Sequence, residues 1–230
     1  MRDSELNRWW RVGVLLVTPL VRLAFRVRVE GAERVPLRGP AVVAFGHVSV
    51  LDGPVLAVEI ARRIRRESRF LVAAEIFGTL LIGRILRRFD QIPIRRGEGD
   101  AAALDRAVSA VRSGALAAIA PEGRVNDDPD AGLQPVHTGV ARIALPTGAP
   151  VIPVGIWGTQ SRWPRTGLRL GRPWRPPVAI AFGNPILPVG DAEDPAAIDS
   201  LTDRVREGLQ RQLARARELT GPKPNGRTPA

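Results

Sequence analysis

The 230-residue chain contains no cysteine and no tyrosine, and only two histidines. Without cysteine there can be no disulfide, no thiolate nucleophile and no cysteine-ligated zinc. The single lysine, Lys223, lies near the C-terminal end. No lysine in the body of the chain can therefore complete a Walker phosphate loop or form a Schiff base. The serine-hydrolase turn Gly-x-Ser-x-Gly does not occur. What remains for proton transfer near neutral pH is His47 and His137.

Hydrophobic residues make up 44% of the chain, enough for the core of one large domain. The formal net charge is +11, and almost all of the positive charge is arginine. Such a balance favours anionic partners: phosphate groups, acidic lipid or nucleic acid. Arginine richness also follows from a high-GC genome, so charge alone does not choose among them.

Residues 8–28 stand apart. Trp9 and Trp10 precede an uncharged run from Val12 to Val21, with Arg8 and Arg11 on one side and Arg22, Arg26 and Arg28 on the other. A ten-residue helical run covers roughly 15 Å, about half of a ~30 Å hydrocarbon core, and Pro19 is expected to kink it. The composition fits an interfacial anchor, with the tryptophans at headgroup level and arginines against anionic lipid. A core helix packed on the domain fits the same pattern. A secretory signal fits less well, because no small-x-small cleavage site follows.

Beyond this segment, short apolar runs alternate with amphipathic ones. Strands are expected at 25–30, 40–45, 69–73, 91–94, 115–120, 151–156 and 178–182. Helices are expected at 53–67, 76–89, from the N-cap Asp100 to Gly114, at 139–145, and from Asp194-Pro195 onward. In the last helix Ile198, Leu201, Val205, Leu209 and Leu213 form one stripe. The pattern predicts a single α/β domain, residues 29–220, with a largely parallel central sheet flanked by helices. An N-terminal membrane-interfacial helix (1–28) precedes it and a disordered tail (221–230) follows.

Four stretches fall at or after strand ends. In GHVSVLDG (46–53) His47 follows a strand and Asp52 comes five residues later. A turn into a helix can fold that carboxylate onto the imidazole, fixing its tautomer and leaving the other nitrogen to take a proton. A histidine satisfied by backbone is the plainer alternative. In QIPIRRG (91–97), Arg95 and Arg96 stand at a glycine turn where arginine can grip a phosphate; a solvated charge pair is the alternative. In APEGRV (120–125), Glu122, Gly123 and Arg124 form a turn that can present amides and charge to an anion, or a simple proline turn. VIPVGIWG (151–158) is apolar and suits a pocket wall or the core.

Taken together and in this order, the four stretches resemble the glycerolipid acyltransferases, the 1-acyl-glycerol-3-phosphate acyltransferases and their relatives. The lead-in VRVEGAERVP and the stretch GVARIALPTGAPVIPV (139–154) carry the same similarity, which runs from about Val27 to Gly158. The resemblance implies that His47 is the general base and Asp52 its orienting partner. It implies that Arg95 binds the acceptor's phosphate and that Glu122 and Gly123, helped by Arg124, bind the acceptor. The donor would be acyl-CoA or an acyl-carrier protein, with no metal and no other cofactor, and the acceptor a lysophospholipid hydroxyl. The setting would be the lipid surface at the cytoplasmic face of the membrane. Gly46, Ile94, Ala120 and Arg124 depart from the residues usual in that family (Asn, Asp, Phe and Thr), and His137 stands where a basic residue often precedes the Gly139 position. These departures leave the His–Asp pair intact and bear on the acceptor.

Two other classes compete. GEGDAA (97–102) matches a dinucleotide fingerprint of an oxidoreductase, but Asp100 puts negative charge where a pyrophosphate would sit. A basic nucleic-acid-binding module is permitted by charge, yet the arginines are scattered, stacking aromatics are few and no such motif is present.

Overall fold

The computed structural model describes residues 6–95, 99–169, 171 and 173–221. The proposed tail beyond Gly221, Arg96, and the first two residues of the fingerprint-like GEGDAA lie outside them, as do residues 1–5 of the expected anchor.

Among the described residues, seven strands form one sheet: β1 Arg26–Glu30, β2 Ala41–Phe45, β3 Ser68–Ala73, β4 Ile92–Ile94, β5 Leu116–Ile119, β6 Val151–Trp157 and β7 Pro177–Phe182. Their spatial order is β1-β7-β6-β2-β5-β3-β4. All neighbours are parallel except β6 and β7, which run antiparallel. The helices are α1 Arg8–Ala24, α2 Asp52–Ile64, α3 Ala74–Phe77, α4 Leu80–Arg88, α5 Ala101–Arg112, α6 Gly139–Ala144 and α7 Pro195–Thr220. The largely parallel α/β sheet flanked by helices is thus the observed architecture.

Alternation along the central strands divides the core. Val42 and Ala44 of β2, with Ala117 and Ile119 of β5, face α5, α6 and α7. Ala41, Val43 and Phe45, with Leu116 and Ala118, face α1 and α2. Strands covered on both sides read as continuous apolar runs, which is why AVVAF and LAAI carry no polar residue. The expected stripe of α7 is buried along its length. The helix lies so close to β6 that a Cβ on Gly155 would sit 2.1 Å from the backbone of Gln212.

Two expectations change. The helix expected over 76–89 is two, because Thr79 is extended and its hydroxyl caps α4 by accepting from the Gly83 amide at 3.2 Å. Trp10 of the expected anchor is not a free surface side chain: it is buried, with its ring edge-on to Phe89 at 5.1 Å. Trp9 stays partly exposed, with the Arg88 guanidinium 4.0 Å above its ring. The helix α1 runs on through Pro19. Among the described residues, no helix is long and apolar enough to cross a membrane.

Candidate active site

Parallel strands end on one edge of a sheet, so the loops after β2, β4, β5 and β6 share that edge. The chain leaves β2 at Gly46 and turns into α2 within six residues. Asp52 is the first residue of α2 and is wholly buried. Its Oδ2 lies 3.1 Å from Nδ1 of His47 and accepts from the Ser49 amide at 2.7 Å. Nδ1–H donates to the carboxylate, so Nε2 carries the free lone pair. His47's side chain is 20% exposed and Asp52's 0%, so the ring reaches solvent while its partner does not.

A residue not singled out from the sequence completes the anchor. Thr159, in the 3-10 turn just past β6, is fully buried and donates its hydroxyl to Asp52 Oδ1 at 2.6 Å. Each aspartate oxygen therefore has a fixed donor besides the imidazole. The only hint in the sequence is a hydroxyl after the glycine that ends VIPVGIWG.

Glu122 sits in the turn after β5, next to β2, and is buried with its carboxylate pointing into the protein. Oε1 accepts from the His47 amide at 2.7 Å and Oε2 from the Gln134 amide at 2.9 Å. The His47 carbonyl in turn accepts from the Asn126 amide at 2.7 Å. Burial pushes the Glu122 carboxyl above the ordinary glutamate range, against the two amides that favour its charged form. In this geometry Glu122 clamps the backbone that carries the histidine.

Gly123 has φ +71, a left-handed value suited to glycine, and His137 packs beside it: a Cβ there would meet His137 Cδ2 at 3.6 Å. Arg124 is exposed, and its Nε donates to Gln134 at 3.2 Å. Arg95 stands at the end of β4, three strands from β2, or about 14 Å at ~4.8 Å per strand. It is exposed; its amide donates to Asp100 at 2.9 Å and its Nε lies 3.8 Å from the same carboxylate. The structure thus gathers His47, Asp52 and Glu122 into one hydrogen-bonded unit, sets Gly123 and Arg124 beside it, and leaves Arg95 on the same edge but apart.

Asp100 also accepts from the Ala103 amide at 3.1 Å, capping α5. A carboxylate therefore already occupies the amides that a dinucleotide would need. Among the described residues, no group of three or more histidine, aspartate or glutamate side chains could hold a metal ion.

The sequence model of the family described as Acyltransferase matches residues 26–157, a span that holds His47, Asp52, Arg95 and Glu122 and stops just before Thr159. An uncharacterized protein of Mycobacterium tuberculosis is 32% identical over 87% of this chain, which spans 65% of that relative's length. The lyso-ornithine lipid O-acyltransferase of Pseudomonas aeruginosa is 30% identical over 66% of this chain and 54% of its own. The fold matches the crystal structure of the 1-acyl-sn-glycerophosphate acyltransferase PlsC from Thermotoga maritima. Its TM-score is 0.74 at 23% identity, over 94% of this chain and 84% of that one.

Proposed function

The chain belongs to the acyltransferase family, and on that premise we propose that it moves a fatty acyl group from a thioester donor to a lysophospholipid hydroxyl. The observation that carries this is the His47 ring held through Nδ1 on Asp52 at 3.1 Å, with the side chain partly open to solvent. Nε2 takes the proton of the acceptor hydroxyl as its oxygen attacks the thioester carbonyl. The C–S bond then breaks, and the thiol leaves with a proton from the imidazolium. A thioester is reactive enough that no enzyme nucleophile is required, which suits a chain without cysteine. Asp52 stabilises the imidazolium that forms in between.

The preferred acceptor in this proposal is 1-acyl-glycerol-3-phosphate, acylated at its sn-2 hydroxyl to give phosphatidic acid, with acyl-CoA or acyl-carrier protein as donor. Arg124 and Gly123, next to the histidine, are best placed for its phosphate, with Arg95 further along the edge. Another lysolipid acceptor would use the same His–Asp chemistry, and the similarity to the Pseudomonas lyso-ornithine lipid O-acyltransferase supports that second reading. Acyl transfer from a long-chain acyl-CoA to 1-acyl-glycerol-3-phosphate in mixed micelles tests the proposal. Wild type should make phosphatidic acid and His47→Ala about 10²- to 10⁴-fold less. Equal product from both proteins would remove His47 as the base.

The lipid surface belongs to the same proposal. Leu15, Leu16, Leu20 and Leu23 of α1 are exposed, as are Leu80, Leu81, Ile82 and Ile85 of α4. The Trp10–Phe89 contact joins the two helices. Neither helix carries an acidic residue, and both carry arginines. Such a face fits an anionic bilayer. The protein should sediment with phosphatidylglycerol vesicles and much less with phosphatidylcholine vesicles; failure to sediment with either would end this part of the reading.

A further inference from the structure

A cavity of about 530 Å³ opens between the end of α1, the start of β1, the segment leading into β7 and the end of α7. Four arginines line it: Arg22, Arg26, Arg28 and Arg175. Among the described residues no carboxylate lines it, and none of the four arginines is ion-paired to one. Arg28 donates to the Leu219 carbonyl at 2.6 Å. Nε of Arg175 is buried without a hydrogen-bond partner. Arg175 also holds φ +57, a strained value for a residue that precedes proline. Four guanidinium side chains around one cavity, with no carboxylate among its described lining residues to balance them, call for an anionic ligand. The size is that of a small-molecule site.

Strand register places the cavity relative to His47. Arg26 lies opposite Pro177 on β7, and Phe182 of β7 lies opposite Val154 of β6, whose carbonyl accepts from the Gly46 amide. Because β7 is antiparallel to β6, its start lies on the active-site edge. His47 lies two residues past Phe45, the partner of Val154, and so is level with Ile180; three residues along β7 and two to three strands across give a separation of about 15 Å, at ~3.3 Å per residue and ~4.8 Å per strand. The segment between β6 and β7 links the two places. Its Trp163 carbonyl accepts from the Ser49 hydroxyl at 2.6 Å and the Val50 amide at 3.2 Å, beside His47, and its far end supplies Arg175.

Resting on the acyl-transfer reading, we propose that this cavity binds the phosphate groups of an acyl-CoA donor while the thioester lies at His47. The pantetheine arm of that donor separates its reacting carbonyl from its nucleotide phosphates, and a basic cavity set well away from the base on the same edge matches that division. Lipid phosphate shares the chemistry but has no long arm to bridge the gap.

Equilibrium binding of unacylated coenzyme A tests this without turnover, so that a failure of the acyl-transfer reading is seen separately in the activity of His47→Ala. The full chain is compared with Arg26→Ala/Arg175→Ala and with Arg26→Lys/Arg175→Lys. The alanine pair should weaken coenzyme A about tenfold or more, the lysine pair less, and pantetheine should bind all three alike. His47→Ala should bind coenzyme A as wild type does. Unchanged coenzyme A affinity in the alanine pair overturns the proposal. So does an alanine pair that keeps coenzyme A but loses phosphatidylglycerol vesicles, which would make the cavity a lipid headgroup site. An acyl-carrier protein whose binding alone falls would equally assign the arginines elsewhere.

Discussion

Two buried carboxylates hold His47, from opposite sides of the same residue. Asp52 meets the ring; Glu122 meets the backbone amide. Asp52 arrives with its own helix, five residues along the chain, whereas Glu122 comes from the neighbouring strand's loop, 75 residues away. The difference separates two tasks. A carboxylate on the ring governs which nitrogen is basic and how well the cation is tolerated. A carboxylate on the backbone governs where the residue sits, and it does so at the cost of being desolvated. The two sites should therefore fail differently when altered.

The largest separation is expected from Asp52→Asn. The amide keeps the shape but cannot accept from both His47 and the Ser49 amide through one oxygen while also accepting from Thr159. The rate of acyl transfer should fall roughly 10³- to 10⁴-fold with the fold retained, as when an aspartate behind a catalytic histidine is replaced. Near-normal rates would show that the ring needs no ionised partner.

A smaller and different effect is expected from Glu122→Gln. One of the two clamped amides would face an NH₂ group, costing about 1–3 kcal/mol of stability by the usual penalty for an unsatisfied buried group. The pH dependence identifies the carboxyl. Its pKa is raised in the folded protein, so the native state binds the proton more tightly than the unfolded chain does. The contribution of Glu122 to stability is then greatest below the ordinary glutamate range and declines as pH rises from there through the raised value. Denaturation midpoints followed over that window should fall more, or rise less, with pH in wild type than in Glu122→Gln. The same slope in both would assign it to another group.

The smallest effect sharpens the Asp52 side. Thr159→Val keeps the shape and removes the donor to Oδ1; Thr159→Ser keeps the donor and loses a methyl. If the hydroxyl positions Asp52, the valine variant should lose about tenfold in kcat, an amount set by one hydrogen bond to a charged group, and serine should retain most activity. The reverse order would make Thr159 a packing residue.

Much of this was legible in the sequence where the determinant was local. The strands of the core are short apolar runs because both faces are covered. Asp100 and Asp194 cap the helices that follow them, donating nothing and accepting from amides two or three residues on. The five-residue spacing of His47 and Asp52 brings them together within one turn. Where packing decided, the local pattern was silent. Trp10 and Trp9 are adjacent and alike in sequence, yet only Trp10 finds a pocket against Phe89, 79 positions further on. Thr79 broke an apparently continuous helix through its extended backbone.

By itself the sequence determined the chemical menu: no thiol, no usable lysine, and a histidine with a carboxylate one turn away. It also determined the alternation that yields a largely parallel sheet. The tertiary structure alone decided that Glu122 turns inward, that Thr159 reaches Asp52 across 107 positions, and that Arg175 joins Arg22, Arg26 and Arg28 around one cavity. The physical reason is strand order. Placing β6 beside β2, and β1 beside β7, follows from how whole apolar faces are buried together, and short-range periodicity carries no record of that choice.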